Sequence, residues 1–78
     1  MNKVYALILY MGTDKLKLEE LLERMGLRGS ANLREGYLYP AMADEYVTKL
    51  YPDKQTTNAQ KYYLTAKGLR KLSELKYE

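Results

Sequence analysis

Residues 46–65 read YVTKLYPDKQTTNAQKYYLT, and this stretch decides the fold of the chain. Two runs rich in β-branched and aromatic residues, at about 46–51 and 60–65, flank a polar segment. That segment carries proline, aspartate, threonine and asparagine, which are the residue types that favour turns. Strand-forming runs joined in this way are typical of a β-hairpin with a long loop.

Helical patterns lie on both sides of the hairpin. Apolar residues recur at spacings of three and four in the segments at about 3–11, 17–25 and 31–43, and again at 66–76. Three helices, a two-stranded wing and an added C-terminal helix form the outline of a winged helix, a variant of the helix-turn-helix. The sequence therefore predicts a single α+β winged-helix domain over residues 1–78.

Capping residues mark the ends of the first two helices. Asn2 can cap the first helix, and Gly12 can end it in the left-handed conformation. The second helix ends at Gly26, but its start is open. A hydrophobic staple favours a start at Lys17, whereas Asp14 is chemically the better cap.

The third helix is the element that a winged helix places in a DNA groove. Ser30 is a good N-cap for it. The residues spaced to face the core are Leu33, Tyr37, Leu38 and Ala41. The residues that face outward are Asn32, Glu35 and Tyr39, with Arg34 near the edge. Pro40 removes a backbone donor inside the helix, so we expect a bend near residues 36–40 without a break.

Side-chain alternation in the hairpin leaves one question open. Tyr62 and Leu64 point the same way in the return strand, and we expect them to point inward. In the outgoing strand, the buried set is either Tyr46, Thr48 and Leu50 or Val47, Lys49 and Tyr51. We favour the first set, because the second would bury Lys49. Thr65 then caps the last helix, with Leu64 and Leu69 spaced for a hydrophobic staple.

The composition excludes most catalytic chemistry. The chain has no cysteine and no histidine, so it lacks thiolate ligands, the commonest metal ligand and the usual general base. We therefore expect no catalytic residue, metal site or cofactor, and no enzymatic activity. No apolar run approaches the roughly 18 residues that a membrane span needs, and we expect a cytoplasmic protein.

Positive charge is concentrated in the hairpin and the helix that follows it. Residues 47–71 hold six basic side chains and one acidic side chain, whereas residues 1–46 hold six basic and seven acidic ones. A local excess of this kind is typical of a surface that faces a polyanion, although a solvated lysine-rich face is also common.

Three motifs in residues 27–68 resemble those of one family. They are LREGYLYPA at residues 33–41, YPDK at residues 51–54 and QKYYLTAKG at residues 60–68. The chain is similar here to the winged-helix domain at the C-terminus of many bacterial Fic-type proteins. The same domain occurs in ATP-dependent-helicase-related proteins with a divergent AAA or AlbA-like domain. The resemblance implies a winged-helix fold and a DNA-binding or regulatory role within a larger protein.

The chain departs from the family pattern where phosphate contact would be expected. Glu45 stands where the family has a glycine between the third helix and the strand, and Gln55 replaces a wing proline. Uncharged residues replace the wing arginines at positions 56–58, and Tyr63 replaces an arginine of the return strand. These changes favour the fold inference over the DNA inference.

Two functions fit these observations. In the first, the domain binds double-stranded DNA, with the third helix in the major groove and the wing on the backbone. The candidate DNA-binding residues are Arg28, Asn32, Arg34, Tyr39, Lys49, Lys54, Thr56, Thr57, Asn58 and Lys61, and Gln55 and Gln60 could also line the wing. In the second, the domain is a protein-interaction module that forms a homodimer or regulates a neighbouring domain. Nine tyrosines and the leucine edge of the last helix favour this alternative.

Overall fold

The structure is a computed structural model that describes residues 2–53 and 58–77. In this part of the chain, α1 spans Lys3–Met11 and α2 spans Leu18–Met25, and a third helix occupies residues 30–43. Strands β1 (Val47–Lys49) and β2 (Tyr62–Leu64) form a two-stranded antiparallel sheet, and the C-terminal helix spans Ala66–Lys76. Both strands are shorter than the runs at 46–51 and 60–65 from which they were predicted.

Side-chain and backbone caps fix the ends of α1. The Asn2 Oδ1 atom accepts hydrogen bonds from the backbone N–H groups of Val4 at 2.7 Å and Tyr5 at 3.3 Å, as predicted. The helix ends at Gly12, which has φ 58° and ψ −134°. This φ is positive, but the conformation is not the left-handed helical one that we predicted. It belongs to a region that only glycine enters without strain.

Of the two predicted N-caps for α2, the structure has Lys17 and not Asp14. The Lys17 backbone N–H donates to the Glu20 carboxylate at 2.8 Å, so a side chain from the first turn satisfies the end of the helix. The helix stops at Gly26, which has φ 68° and ψ 27°. The Leu27 N–H then bonds to the Leu22 carbonyl oxygen at 2.9 Å, which completes a Schellman-type ending.

The third helix is continuous but irregular. Its first segment, Ser30–Leu33, and its last, Tyr39–Ala43, are α-helical, whereas the middle segment, Arg34–Leu38, is a π-helix. The Tyr39 N–H bonds to the Arg34 carbonyl oxygen, five residues earlier. Because this wider turn immediately precedes Pro40, the helix passes through the proline without a break, as predicted. The π-helical segment itself was not predicted.

The strand register corrects the prediction for β1. Val47 pairs with Leu64, Thr48 with Tyr63 and Lys49 with Tyr62. Val47 is only 3% exposed, so the preferred buried set of Tyr46, Thr48 and Leu50 was wrong. Lys49 lies on the buried face at the end of the strand, where it is half-buried. A lysine stem can cover apolar surface while the ammonium group reaches water, so Lys49 does not forbid this register.

A third strand-like contact completes the sheet and was not predicted. Leu16, between α1 and α2, forms an isolated antiparallel bridge with Tyr62. The two residues exchange backbone hydrogen bonds of 2.9 and 2.7 Å. The segment before α2 therefore covers the edge of β2 that β1 leaves free.

The turn after the third helix joins three elements. The Tyr46 N–H donates to the Ala41 carbonyl oxygen at 2.9 Å and so ends the helix. The Tyr46 carbonyl oxygen accepts from the Thr65 N–H at 3.0 Å, and the Thr65 hydroxyl donates to the Glu45 carbonyl oxygen at 2.6 Å. Gly68 packs directly against the Tyr46 carbonyl. The third helix, β1 and the C-terminal helix are thus fixed to one another at this turn.

Glu45 has a φ of 63°, a conformation that side chains with a Cβ atom rarely adopt. We expect Glu45→Gly to raise the free energy of unfolding by roughly 0.5–1 kcal/mol, because relief of the strain outweighs the greater freedom of glycine in the unfolded chain. Urea titration of both proteins measures this difference. Glu45→Ala keeps the Cβ atom and is the control for loss of the carboxylate. An equal gain for alanine and glycine would contradict the explanation from backbone strain.

The core lies between the helices and the inner face of the sheet. Its fully buried members, at 0% exposure, are Leu7, Ile8, Met11, Leu21, Leu33, Leu38 and Ala41. The third-helix residues expected to face inward are therefore confirmed, with Tyr37 partly buried against them. Four helices and a two-stranded wing in this order form a winged-helix-like α+β fold. Within the described ranges, no helix is long and apolar enough to cross a membrane.

Candidate nucleic-acid interface

An exposed stripe runs along the third helix. Asn32, Glu35 and Tyr39 are all exposed, and Tyr39 has 51% of its surface accessible. All three side chains therefore face outward, as predicted, although the π-helical segment Arg34–Leu38 alters the regular α-helical spacing between them. Arg34 is half-buried beside this face, and Arg28 is exposed in the segment before the helix.

The third helix and the wing meet at Tyr62. Burial of its ring raises the pKa of the Tyr62 hydroxyl. The Arg34 guanidinium acts on this pKa in the opposite direction, and the Tyr39 hydroxyl adds to the increase. Arg34 and Tyr39 are therefore close enough to Tyr62 to affect it electrostatically. Lys49 pairs with Tyr62 across the sheet and therefore lies on the same face of the hairpin as Tyr62. The sequence did not single out Tyr62 as this junction, because its position depends on how the two elements pack.

The cations of this surface are unpaired in the part of the chain that is described. They are Arg28, Arg34, Lys49 and Lys61, and none of them forms an ion pair with a described residue. The ion pairs found there join Arg24 to Asp14 at 2.9 Å and Lys71 to Glu74 at 3.6 Å. Both lie outside the third helix and the wing.

Other lysines are held against tyrosine rings. The ammonium groups lie 4.6–5.5 Å from the ring centroids in the pairs Lys67–Tyr46, Lys71–Tyr5, Lys15–Tyr63 and Lys3–Tyr37. Lys67 also donates to the Asp44 carbonyl oxygen at 2.7 Å. Such contacts stabilise a lysine at a fixed position on the protein's own surface. Lys67 and Lys71 therefore help to dock the C-terminal helix.

The wing was predicted to carry several polar contacts. Asn58 is exposed and Lys61 is half-buried near the start of β2. Lys54, Gln55, Thr56 and Thr57 lie outside the described residues.

Gln60 was placed with the polar residues of the wing, but it is only 7% exposed. Its Nε2 donates to the Tyr51 carbonyl oxygen at 2.7 Å, and its Oε1 accepts from the Tyr51 N–H at 2.9 Å. Gln60 therefore closes the neck of the hairpin loop, and its side chain does not face a ligand.

A shallow apolar groove of about 310 Å³ lies elsewhere on the domain. Its lining residues are Gly12, Thr13, Lys15, Tyr63, Leu64 and Leu69. Leu64 and Leu69 both line it, but Leu69 remains 43% exposed, so the predicted staple leaves part of its surface open.

Known proteins place this domain in a family. Residues 2–65 match the family described as filamentation induced by cAMP protein Fic-like, C-terminal domain. The fold is similar to part of the crystal structure of a Fic family protein from Desulfovibrio desulfuricans G20, with a TM-score of 0.77 and 35% sequence identity. That match covers 85% of this chain and 20% of the Desulfovibrio chain, so this chain spans about one fifth of that relative. No curated protein matches the chain. Because the family match extends over most of the chain, the protein belongs to the Fic-like C-terminal domain family.

Proposed function

We propose that this domain is a non-enzymatic module that binds double-stranded DNA through its third helix and wing. The observation that carries the proposal is the distribution of cations. Arg28, Arg34, Lys49 and Lys61 form no ion pair in the described part of the chain and lie on the third helix, just before it, on β1 or just before β2. Unpaired cations attract a polyanion and release the counterions that surround it. Lys49 shares the face of Tyr62 in the hairpin, whereas Lys61, one residue before Tyr62, lies on the opposite face.

In this proposal the third helix enters the major groove of a duplex. An α-helix fits the major groove, and the exposed stripe of the third helix carries Asn32 and Tyr39 as groups that can contact base edges. Lys49 on β1 and Lys61 just before β2 would contact phosphates, which orient a protein on DNA without reading its sequence. Asn58, and beyond the described residues Lys54, Thr56 and Thr57, would extend that contact along the wing.

The proposed biological setting rests on the greater length of a relative and on the sequence resemblance described above. The Desulfovibrio relative is much longer than this chain, and we propose that the domain works as part of a larger cytoplasmic protein with a transcriptional or helicase-related role. The contribution of the domain would be to hold that protein on DNA.

Removing two wing cations tests the proposal. We expect Lys49→Ala combined with Lys61→Ala to weaken binding to a duplex of about 20 base pairs, roughly two helical turns. The slope of log affinity against log salt concentration, measured between about 50 and 200 mM, should become shallower by about 1.8, since each lost phosphate contact contributes about 0.9. Fluorescence anisotropy of a labelled duplex measures both quantities.

The matched control is Arg70→Ala combined with Lys76→Ala, which removes the same charge from exposed positions of the C-terminal helix. It should leave the salt slope close to that of the unmodified domain. Equal effects of the two double variants would mean that only net charge matters, and the proposed surface would then be wrong.

A second candidate function is docking against protein, either a second copy or a neighbouring domain. It is favoured by the apolar groove and by the exposed apolar side chains Leu9, Tyr10 and Leu69. The same experiment separates the two functions when it is followed by amide chemical shifts. Docking against protein would be favoured if the amide shifts do not change when DNA is added but do change with protein concentration. The affected residues should then be Leu69 and those that line the groove.

A further inference from the structure

We propose that Glu35 is a specificity-determining residue that selects a cytosine in the major groove. The proposal rests on the DNA-binding function above and names the kind of site that the domain would select. It assigns a positive role to a carboxylate that would otherwise only repel phosphate.

Glu35 lies in the middle of the exposed stripe. Asn32 is three residues before it and Tyr39 is four residues after it, and all three side chains are exposed. Glu35 forms no ion pair and no side-chain hydrogen bond with any residue in the described ranges. If the third helix enters the groove, this carboxylate enters with it and loses water without an internal partner. A desolvated charge without a partner is unfavourable, so Glu35 must find a donor on the DNA or oppose binding.

Base chemistry limits the available donors. In the major groove, guanine presents two acceptors and thymine presents an acceptor and a methyl group. Guanine and thymine would therefore offer the Glu35 carboxylate no hydrogen-bond donor. Adenine offers its N6 amino group but also the N7 acceptor beside it, whereas cytosine presents only its N4 amino donor. An ionised carboxylate accepts hydrogen bonds and cannot donate them, so cytosine is the one base whose major-groove edge fits it.

The neighbouring residue makes the inferred selection more specific. Asn32 has both a donor and an acceptor, which match N6 and N7 of adenine. The stripe therefore combines one group suited to adenine with one suited to cytosine on adjacent turns of the same helix. Glu35 acts chiefly by rejecting the other bases, which is specificity through unfavourable contacts.

A binding-site selection tests the inference. The purified 78-residue domain is incubated with duplexes that carry a randomised central segment, and the bound fraction is sequenced. We expect one position to be enriched in C·G pairs, with a discrimination of roughly 5- to 150-fold against the other pairs. For Glu35→Gln, we expect the preference at that position alone to change to A·T, because the glutamine amide matches adenine N6 and N7.

Glu23→Gln is the matched control, since Glu23 is an exposed glutamate of α2 away from the stripe. It removes the same charge and should leave the enriched sequence unchanged. If Glu35→Gln instead increases binding to all duplexes equally, Glu35 is only a repulsive charge and the inference is wrong, while DNA binding stands. If the folded domain binds no duplex at about 50 mM salt, where phosphate contacts are strongest, the proposed function fails and the inference fails with it.

Discussion

Gly68→Ala is expected to destabilise the domain by about 3 kcal/mol or more. A Cβ atom at position 68 would overlap the Tyr46 carbonyl oxygen and would lie 3.1 Å from the Leu64 Cβ atom. The overlap is with backbone, which cannot move aside as a flexible side chain can. That carbonyl also accepts the Thr65 N–H, so a shift would disturb the turn that joins the third helix, β1 and the C-terminal helix. Urea or thermal unfolding measures the loss.

Gly29→Ala is the control for this substitution. It adds the same atom at a position where no heavy atom lies within 4 Å, and the φ of Gly29 is −103°. We expect a loss of at most about 1 kcal/mol there, because the added methyl group meets open space and the remaining cost is that of alanine in place of glycine at the N-cap of the third helix. A similar loss of stability in both variants would show that the close packing of Gly68 is not the cause.

Val47→Asp is the second substitution with a large expected effect, and we expect it to leave the domain largely unfolded. Val47 is 3% exposed and lies opposite Leu64, which is 5% exposed, on the inner face of the sheet. A carboxylate there would lose its water without a described basic partner, at a cost of several kcal/mol. Small domains have only about 5–15 kcal/mol of stability to lose. Circular dichroism with a urea titration would reveal the loss.

Thr48→Asp places the same carboxylate on the other face of β1. Thr48 is half-buried and lies opposite Tyr63, so its side chain points away from the core. The expected loss is about 1 kcal/mol, the range of strand propensity. If Thr48→Asp is the more damaging change, the strand is shifted by one residue and the register given above is wrong.

The helices were predictable because their signals are local. Asn2 and the spacing of the leucines mark the helices within a few residues of the chain. Ser30 was predicted as the N-cap of the third helix, but it is the first residue of that helix and Gly29 is the N-cap. The buried face of β1 was not predictable, because it depends on where the Lys49 ammonium can reach water in the folded domain. The bridge between Leu16 and Tyr62 joins residues that are 46 positions apart in the sequence. On the side of Leu16 it involves a single residue of the link between α1 and α2, so no strand pattern in the sequence indicates it.

The candidate site was predictable in part for the same reason. Asn32 and Tyr39 are exposed as the helical spacing indicates. Which lysines remain unpaired depends on contacts between distant segments, such as Lys67 with Tyr46 or Lys71 with Tyr5. Gln60 looked like an exposed wing residue because glutamine is usually found at the surface, and only the fold brings it to the Tyr51 backbone.

The hydrogen bonds between Gln60 and the Tyr51 backbone affect how well the hairpin tolerates changes in its sequence. Because this side chain bonds both backbone groups of Tyr51, the neck of the hairpin is closed independently of the residues beyond it. Lengthening such a closed loop adds little entropic cost, about 0.6 kcal/mol for each doubling. The register between Val47 and Leu64 should therefore tolerate changes of sequence beyond the Tyr51–Gln60 contact. We therefore expect a variant of this chain with residues inserted beyond the Tyr51–Gln60 contact to keep its fold.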